Sequence, residues 1–424
     1  MERKDLYYVL FEQQKDFESM KNLIDRERTS EFISKIHLQM PIILTGVRRC
    51  GKSSLLKIIK DKLMLNQKQY LYINFNDERL IHFSIDDFQK IIDFLEENDY
   101  SKNCILFIDE IQETKAWEKW IDRIKSKYRI IITGSNSKLL SSEISTILTG
   151  RSISFSLYPF NFKEFLNYKK INLNTWKLDL KLHSKIRKLF DNYLNLGGFP
   201  KFVITNEKII ISELYENILY RDIIKRFNPN LVKPIKEISF YLVSNITSDI
   251  SLRTLSRISN IKNLATVKSI IHSFEDSFLF FSINKFDYSI KKQTQNPKKI
   301  YCIDNGFGTS VGFKFLENKG KLMENLVAIE LRRRGKEIYY FRENNECDFI
   351  IKKGLKIIEL IQVCYDLNQA NEKREFAGLL EAMNKFKLKH GLILTYDQEG
   401  ERKINGNKIK LVPLWKWLLK NNSD

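Results

Sequence analysis

A lysine and a serine at 52 and 53, and two carboxylates at 109 and 110, are the residues whose types and spacing could do chemistry together. Lys52 and Ser53 belong to the stretch Gly46-Val47-Arg48-Arg49-Cys50-Gly51-Lys52-Ser53-Ser54, which follows the pattern G-x-x-x-x-G-K-S. Its glycines let the backbone turn, so that successive N–H groups converge on phosphate oxygens at the positive end of a helix. Lys52 would bring charge to the β- and γ-phosphates of ATP, and Ser53 a hydroxyl ligand to Mg2+. The apolar run Cys104-Ile105-Leu106-Phe107-Ile108 ends in Asp109-Glu110. Ligands of open α/β sheets bind at the carboxyl ends of strands, so Asp109 can hold the Mg2+ shell and Glu110 can polarise an attacking water. After Thr133-Gly134, either Asn136 or Ser135 could sense the γ-phosphate, although an ordinary Gly-Ser-Asn turn explains the same residues. Together these groups predict Mg2+-dependent binding and hydrolysis of ATP.

The elements that must position them alternate. Strand-like apolar runs at 41–45, 70–75, 104–108, 129–133 and 152–157 are separated by helical periodicity at 53–65, 86–96 and 116–126. That rhythm predicts an α/β fold, a parallel sheet wrapped by helices. Upstream, apolar positions between 5 and 37 predict helices packed on this unit, with Arg26 and Arg28 near the nucleotide base or, as the plainer reading, on the surface. Residues 160–225 are helical in pattern and would form a lid. From 233 to 303 the order helix, helix, helix, strand, strand looks like a winged helix. Lys262 and Lys268 on its third helix, and Lys291, Lys292, Lys298 and Lys299 on the presumed wing, are the candidate DNA contacts. Winged helices also dock proteins, and residues 293–299 read as the most linker-like piece.

Composition narrows the setting. A chain of 424 residues exceeds a single core. Lys and Arg number 71 against 52 Asp and Glu, a net +19 that favours an anionic partner such as nucleic acid over an acidic one; a Lys-rich solvated surface fits the same count. Five scattered cysteines without a C-x-x-C pair, and five separated histidines, indicate neither a disulfide framework nor a zinc site. The N-terminus is charged, and no segment approaches the ~18 apolar residues of a membrane span, so a cytoplasmic, reduced setting is expected. Cys50, beside Gly51 and Lys52 at a helix start, is expected to have a lowered pKa and to be open to alkylation.

Gly46-Val47-Arg48-Arg49, Gly51-Lys52-Ser53, Phe107-Ile108-Asp109-Glu110-Ile111-Gln112, Thr133-Gly134-Ser135-Asn136, Gly150-Arg151 and Tyr158-Pro159-Phe160 together resemble prokaryotic ATP-binding proteins of AAA family 14, which carry a C-terminal domain of unknown function, number 4143. The resemblance implies an AAA-type P-loop NTPase core over 1–159 and a helical lid over 160–228. A winged-helix domain over 229–300 and a C-terminal α/β domain over 301–424 would follow. It further implies that Arg151 is an arginine finger reaching a neighbouring subunit in a homo-oligomer; Leu196-Gly197-Gly198-Phe199-Pro200 resembles the Gly-x-Pro element of related switch ATPases, which implies that Pro200 packs on the adenine. A local ion pair and a helix stop are the plainer readings of those two.

The tail resembles the PD-(D/E)xK, restriction-endonuclease-like core. Glu324 and Asp348 fill two of its places, with Glu346 nearby, but the third reads Gln362 and Cys364, on one strand face, with Glu359 turned away. A degenerate, nuclease-like domain is expected. The full expectation is an ATPase whose nucleotide state moves a basic, DNA-binding tail. A signalling or defence switch with protein partners is the alternative, and an ATP-dependent nuclease the third.

Overall fold

The computed structural model describes residues 1–38, 40–140, 152–173, 180–312 and 318–420. The chain divides into two compact units, Met1–Tyr158 with Asp276–Phe278, and Pro159–Glu275 with Leu279–Asp424.

The first unit is built on one sheet of β1 (Ile42–Thr45), β2 (Tyr70–Asn74), β3 (Ile105–Asp109), β4 (Arg129–Gly134) and β5 (Ile153–Ser156), in the order β2-β3-β4-β1-β5. Every pairing is parallel. The strands read as unbroken apolar runs because helices cover both faces. Alternate residues of β3 serve the two sides. Leu106 and Ile108 pack with Leu6 and Leu10 of α1 (Arg3–Ser19), Ile91 of α4 (Asp87–Glu97) and Trp120 of α5 (Trp117–Ile124). Ile105 and Phe107 pack with Phe32 of α2 (Thr29–Ile33) and with Leu55, Leu56 and Ile59 of α3 (Lys52–Lys62). The strand order sets β1, β4 and β3 side by side, so the loop after β1, Asp109-Glu110 and Ser135 leave from adjacent strand ends.

The second unit opens with α6 (Phe162–Tyr168), α7 (Leu180–Leu196), α8 (Pro200–Thr205) and α9 (Lys208–Asn217). Next come α10 (Val232–Ser244), β6 (Asp249–Ile250), α11 (Leu252–Ser259), α12 (Leu264–Asp276), β7 (Phe280–Asn284), α13 (Ile290–Gln295) and β8 (Lys298–Cys302). β8 lies between β6 and β7, antiparallel to both. The segment expected to be a linker is therefore the end of a helix and the start of a central strand. The boundary expected between 300 and 301 falls inside β8.

After α14 (Asn305–Val311) and α15 (Lys319–Arg333), a six-stranded sheet runs β13-β14-β12-β11-β10-β9. Its strands are β9 (Glu337–Arg342), β10 (Glu346–Lys353), β11 (Lys356–Val363), β12 (His390–Thr395), β13 (Gly400–Ile404) and β14 (Asn407–Pro413), with α16 (Glu372–Phe386) between β11 and β12 and α17 (Leu414–Leu418) at the end. Sequence reasoning passed over β13 and β14, although the signal was there. Asn405-Gly406 joins them, and both residues have positive φ, 51° and 75°, as the two-residue hairpin turn favoured by Asn-Gly requires. Trp415 and Trp417 of α17 are buried and serve packing.

Candidate functional site

β1 hands the chain to a loop that folds back on its own unit. A Cβ on Gly46 would lie 2.2 Å from the Leu157 carbonyl oxygen, so only glycine allows that approach. Arg49 and Gly51 have φ of 62° and 102°, left-handed positions that turn successive amides to one side before α3 begins at Lys52. Arg26 fastens the loop from behind. Its guanidinium is buried and donates to the Cys50 carbonyl at 3.0 Å and to the Tyr158 carbonyl at 2.6 Å. The expectation of a surface Arg26 is corrected, because the loop carbonyls need a donor and burial leaves no water to supply one. Arg28 is exposed and pairs with Glu31.

The two pairs of reactive residues converge. Lys52 Nζ lies 3.2 Å from Glu110 Oε1 and donates to the carbonyls of Gly46 (3.1 Å) and Val47 (3.4 Å). Ser53 Oγ donates to Asp109 Oδ2 at 2.5 Å. The same carboxylate accepts from Tyr72 OH at 2.8 Å and from Thr133 Oγ1. Glu110 Oε2 accepts from Gln112 Nε2 (2.5 Å), Ser135 Oγ (2.9 Å) and the Ser135 amide (3.2 Å). Glu110 itself has φ 52°, a left-handed backbone that aims its side chain back at the loop.

Burial alone would push Glu110 up, but Lys52, Gln112, Arg48 and Ser135 outweigh it and hold the carboxyl below its usual range. Asp109 moves the other way, raised by burial and by the Glu110 charge beside it. One ammonium thus serves two adjacent carboxylates unequally. Glu110 stays ionised, while Asp109 is supported by hydroxyl donors.

A second cluster lies in the second unit. Lys299 of β8, its side chain 4% exposed, stands 3.0 Å from Glu324 Oε1 of α15 and 3.5 Å from Asp348 Oδ1 of β10, and forms an ion pair with Glu346. Tyr301 OH donates to Glu324 at 2.9 Å, and the Val363 amide donates to Asp348 at 2.9 Å. Gln362 bridges the Asp348 amide and the Glu375 carboxylate. A cleft of about 520 Å³ opens over the carboxylates, with Lys321, Arg342 and Arg374 among its walls.

Residues 39–166 match the AAA domain family, 187–317 a domain of unknown function (DUF8612) and 319–417 a domain of unknown function (DUF4143). An uncharacterized protein of Methanocaldococcus jannaschii is 36% identical over 397 residues, covering 89% of this chain and 88% of that protein. The chain belongs to this family of AAA-domain proteins with a C-terminal DUF4143 domain. Another uncharacterized relative, from Haemophilus influenzae, is 29% identical over 392 residues, covering 89% of the AAA-domain protein described here and 94% of its own length. Among solved structures, the Aeropyrum pernix ORC1 protein in complex with DNA shares 12% identity over 74% of this chain and 95% of that one, with a TM-score of 0.33, too low to carry an argument.

Of the residues the sequence singled out in this AAA-domain protein, Lys52, Ser53, Asp109 and Glu110 come together directly. Ser135, the second of the two sensor candidates, supplies two contacts to Glu110; Asn136 is buried next to it, its carbonyl accepting from the Leu139 amide. Tyr72, Thr133 and Gln112 were missed, and Arg26 was named without its clamp on the loop. Thr133 and Gln112 stood in the very stretches quoted for the motif, whereas Tyr72 and Arg26 arrive only through strand pairing and loop packing.

Cys50 corrects an expectation, since its thiol is wholly buried and burial pushes its pKa up against the pull of Lys52 and Arg26. Arg151 lies outside the described residues. Pro200 occupies the first turn of α8, and the Gly-Gly before it has a structural task. The Gly198 amide donates to Asp304 at 2.7 Å, and a Cβ there would stand 2.2 Å from the Phe160 carbonyl oxygen.

In the tail, Glu324, Asp348 and Gln362 share the cleft. Cys364 does not join them, because β11 ends at Val363 and the thiol turns into the apolar core with a contact to the Asp366 carbonyl at 3.3 Å. Glu359 lines a separate cleft with Arg334 and Lys336. Lys262, Lys268, Lys291 and Lys292 are exposed, and Lys298 is half-buried. Lys299 is withdrawn as a DNA contact, since its ammonium is buried among carboxylates and cannot reach a phosphate.

Proposed function

We propose that this AAA-domain protein binds ATP at the end of β1 and hydrolyses it, and that its nucleotide state controls a basic second unit that contacts DNA. The convergence of Lys52 on Glu110 and of Ser53 on Asp109 carries the reading. The residues fit both ligands: the loop gathers amides at the start of α3, and Ser53 and Asp109 offer the hard oxygen ligands that Mg2+ prefers. Bound there, Mg2+ would neutralise charge on the phosphates.

Lys52 cannot serve Glu110 and a γ-phosphate equally. As Lys52 turns to the phosphate, Glu110 Oε1 is released to accept a proton from water, while Ser135 and Gln112 keep Oε2 in place. Availability of the base is thereby tied to arrival of the substrate. In the second unit, α10 to β8 serve as a winged helix, with Lys262, Lys268, Lys291 and Lys292 as its phosphate contacts. The C-terminal sheet is a nuclease-like fold kept for binding.

ATP turnover of the wild type, Lys52→Ala and Glu110→Gln, with and without duplex DNA across a salt series, tests this reading. Both variants should lose about 10²-fold or more in turnover, and Glu110→Gln should still bind nucleotide. DNA affinity should fall linearly in log salt. Full turnover by Glu110→Gln would remove the assigned base, and salt-insensitive or absent DNA binding would remove the DNA contact alone.

A further inference from the structure

The carboxylates of the second unit have their own cation. Glu324 comes from α15, while Glu346 and Asp348 lie two apart on β10 and face the same way. Such a set invites a divalent ion, whose oxygen ligands lie at about 2.0–2.6 Å. Lys299 already stands between them, within 3.0 Å of Glu324 and 3.5 Å of Asp348 and paired with Glu346. An ion could not enter without displacing that ammonium.

Displacement has nowhere to send it. Lys299 is on the central strand of the three-stranded sheet, paired with Asp249 on one side and Ile283 on the other, and its ammonium lies 5.8 Å from the centre of the Tyr340 ring. Other groups also hold the carboxylates. Tyr301 and the Val363 amide serve Glu324 and Asp348, and Arg342 pairs with Glu346. With Lys299 in place, no three His, Cys, Asp or Glu side chains among the described residues are placed to hold a metal ion.

We infer that Lys299 is the resident cation of this cleft: it holds the place between Glu324, Glu346 and Asp348 that a divalent ion would need, and uses their charge to lock β8 onto α15 and β10. The cleft is metal-independent, and removal of Lys299 alone uncovers a divalent-cation site. The inference stands apart from the ATPase reading, because it concerns only residues of the second unit.

Mn2+ is the probe, in the full chain, without nucleotide, and with Asp109→Asn in every sample so that the first unit contributes no ion. Lys299→Met should melt lower in EDTA by roughly 5 °C or more, as expected when buried carboxylates lose their partner. Millimolar Mn2+ should restore much of that loss, and paramagnetic resonance should count one more bound Mn2+ per chain than in the Asp109→Asn parent. Lys299→Arg should keep the parent's indifference to Mn2+. No added Mn2+ site and no recovery in Lys299→Met would overturn the inference. So would a fall in the parent's Mn2+ count on adding Asp348→Asn, since the cleft would then hold metal with Lys299 in place. If Lys299→Met does not fold, the Asp348→Asn comparison decides by itself: an unchanged count supports the resident lysine, and a lowered one refutes it.

Discussion

Gly197→Ala tests what the Gly-Gly pair at the end of α7 is for. Gly197 has φ 78°, and an alanine held in that left-handed conformation costs about 1–2 kcal/mol. Its Cβ would also lie 1.7 Å from Asp304 Oδ1, so the carboxylate must move. That carboxylate accepts the Gly198 amide at 2.7 Å and the Gly306 amide at 2.8 Å. Losing one such charge-assisted bond inside the protein costs about 1.5–3 kcal/mol. The two effects sum to about 2.5–5 kcal/mol, a fall in melting temperature of roughly 5–20 °C for a unit of this size. Calorimetry of the full chain, paired with titration of a fluorescent ATP analogue, reads both possibilities. A large loss of stability is the expected result. If Gly197→Ala melts within about 2 °C of the wild type and instead loses ATP affinity, the pair serves the nucleotide, as the resemblance to switch ATPases implied, and the clamp on Asp304 is refuted.

Asp304 also makes stability depend on pH. Burial pushes its carboxyl up to about 7, against the Gly198 and Gly306 amides and Arg333. The folded state therefore binds the proton more tightly than the unfolded chain, and the stability this contributes is full below about pH 4 and lost as pH rises through about 7. Between pH 5 and pH 8 the wild type should lose about 3 kcal/mol from this group, and Asp304→Asn should flatten that slope; an unchanged slope would count against the assignment. For Cys50, iodoacetamide should label the native chain no faster with nucleotide absent than present, and quickly only after unfolding, because the thiol is buried and its pKa raised. Rapid labelling of the native chain would show the loop opening to solvent.

How much of this could be read from the chain follows from how far apart the interacting residues lie. The phosphate loop was legible because Gly46, Gly51, Lys52 and Ser53 act within one turn of backbone, and the sheet because its five strands are continuous apolar runs. Asp109 and Glu110 were legible for a related reason: a buried parallel strand can place charge only at its end. The β13–β14 hairpin was equally local and was passed over, its Asn-Gly turn unread.

What the sequence alone determined is this local chemistry: a P-loop, an acidic strand end and an α/β rhythm. The tertiary structure decided the rest, because strand order and register choose which distant residues meet. Pairing of β2 with β3 brings Tyr72 to Asp109, and loop packing turns Arg26 inward to the Cys50 carbonyl. The central place of β8 changes Lys299 from a wing lysine facing solvent into the buried partner of Glu324, Glu346 and Asp348. A lysine on an alternating strand points to one face or the other; only the completed sheet says whether that face meets water or carboxylates.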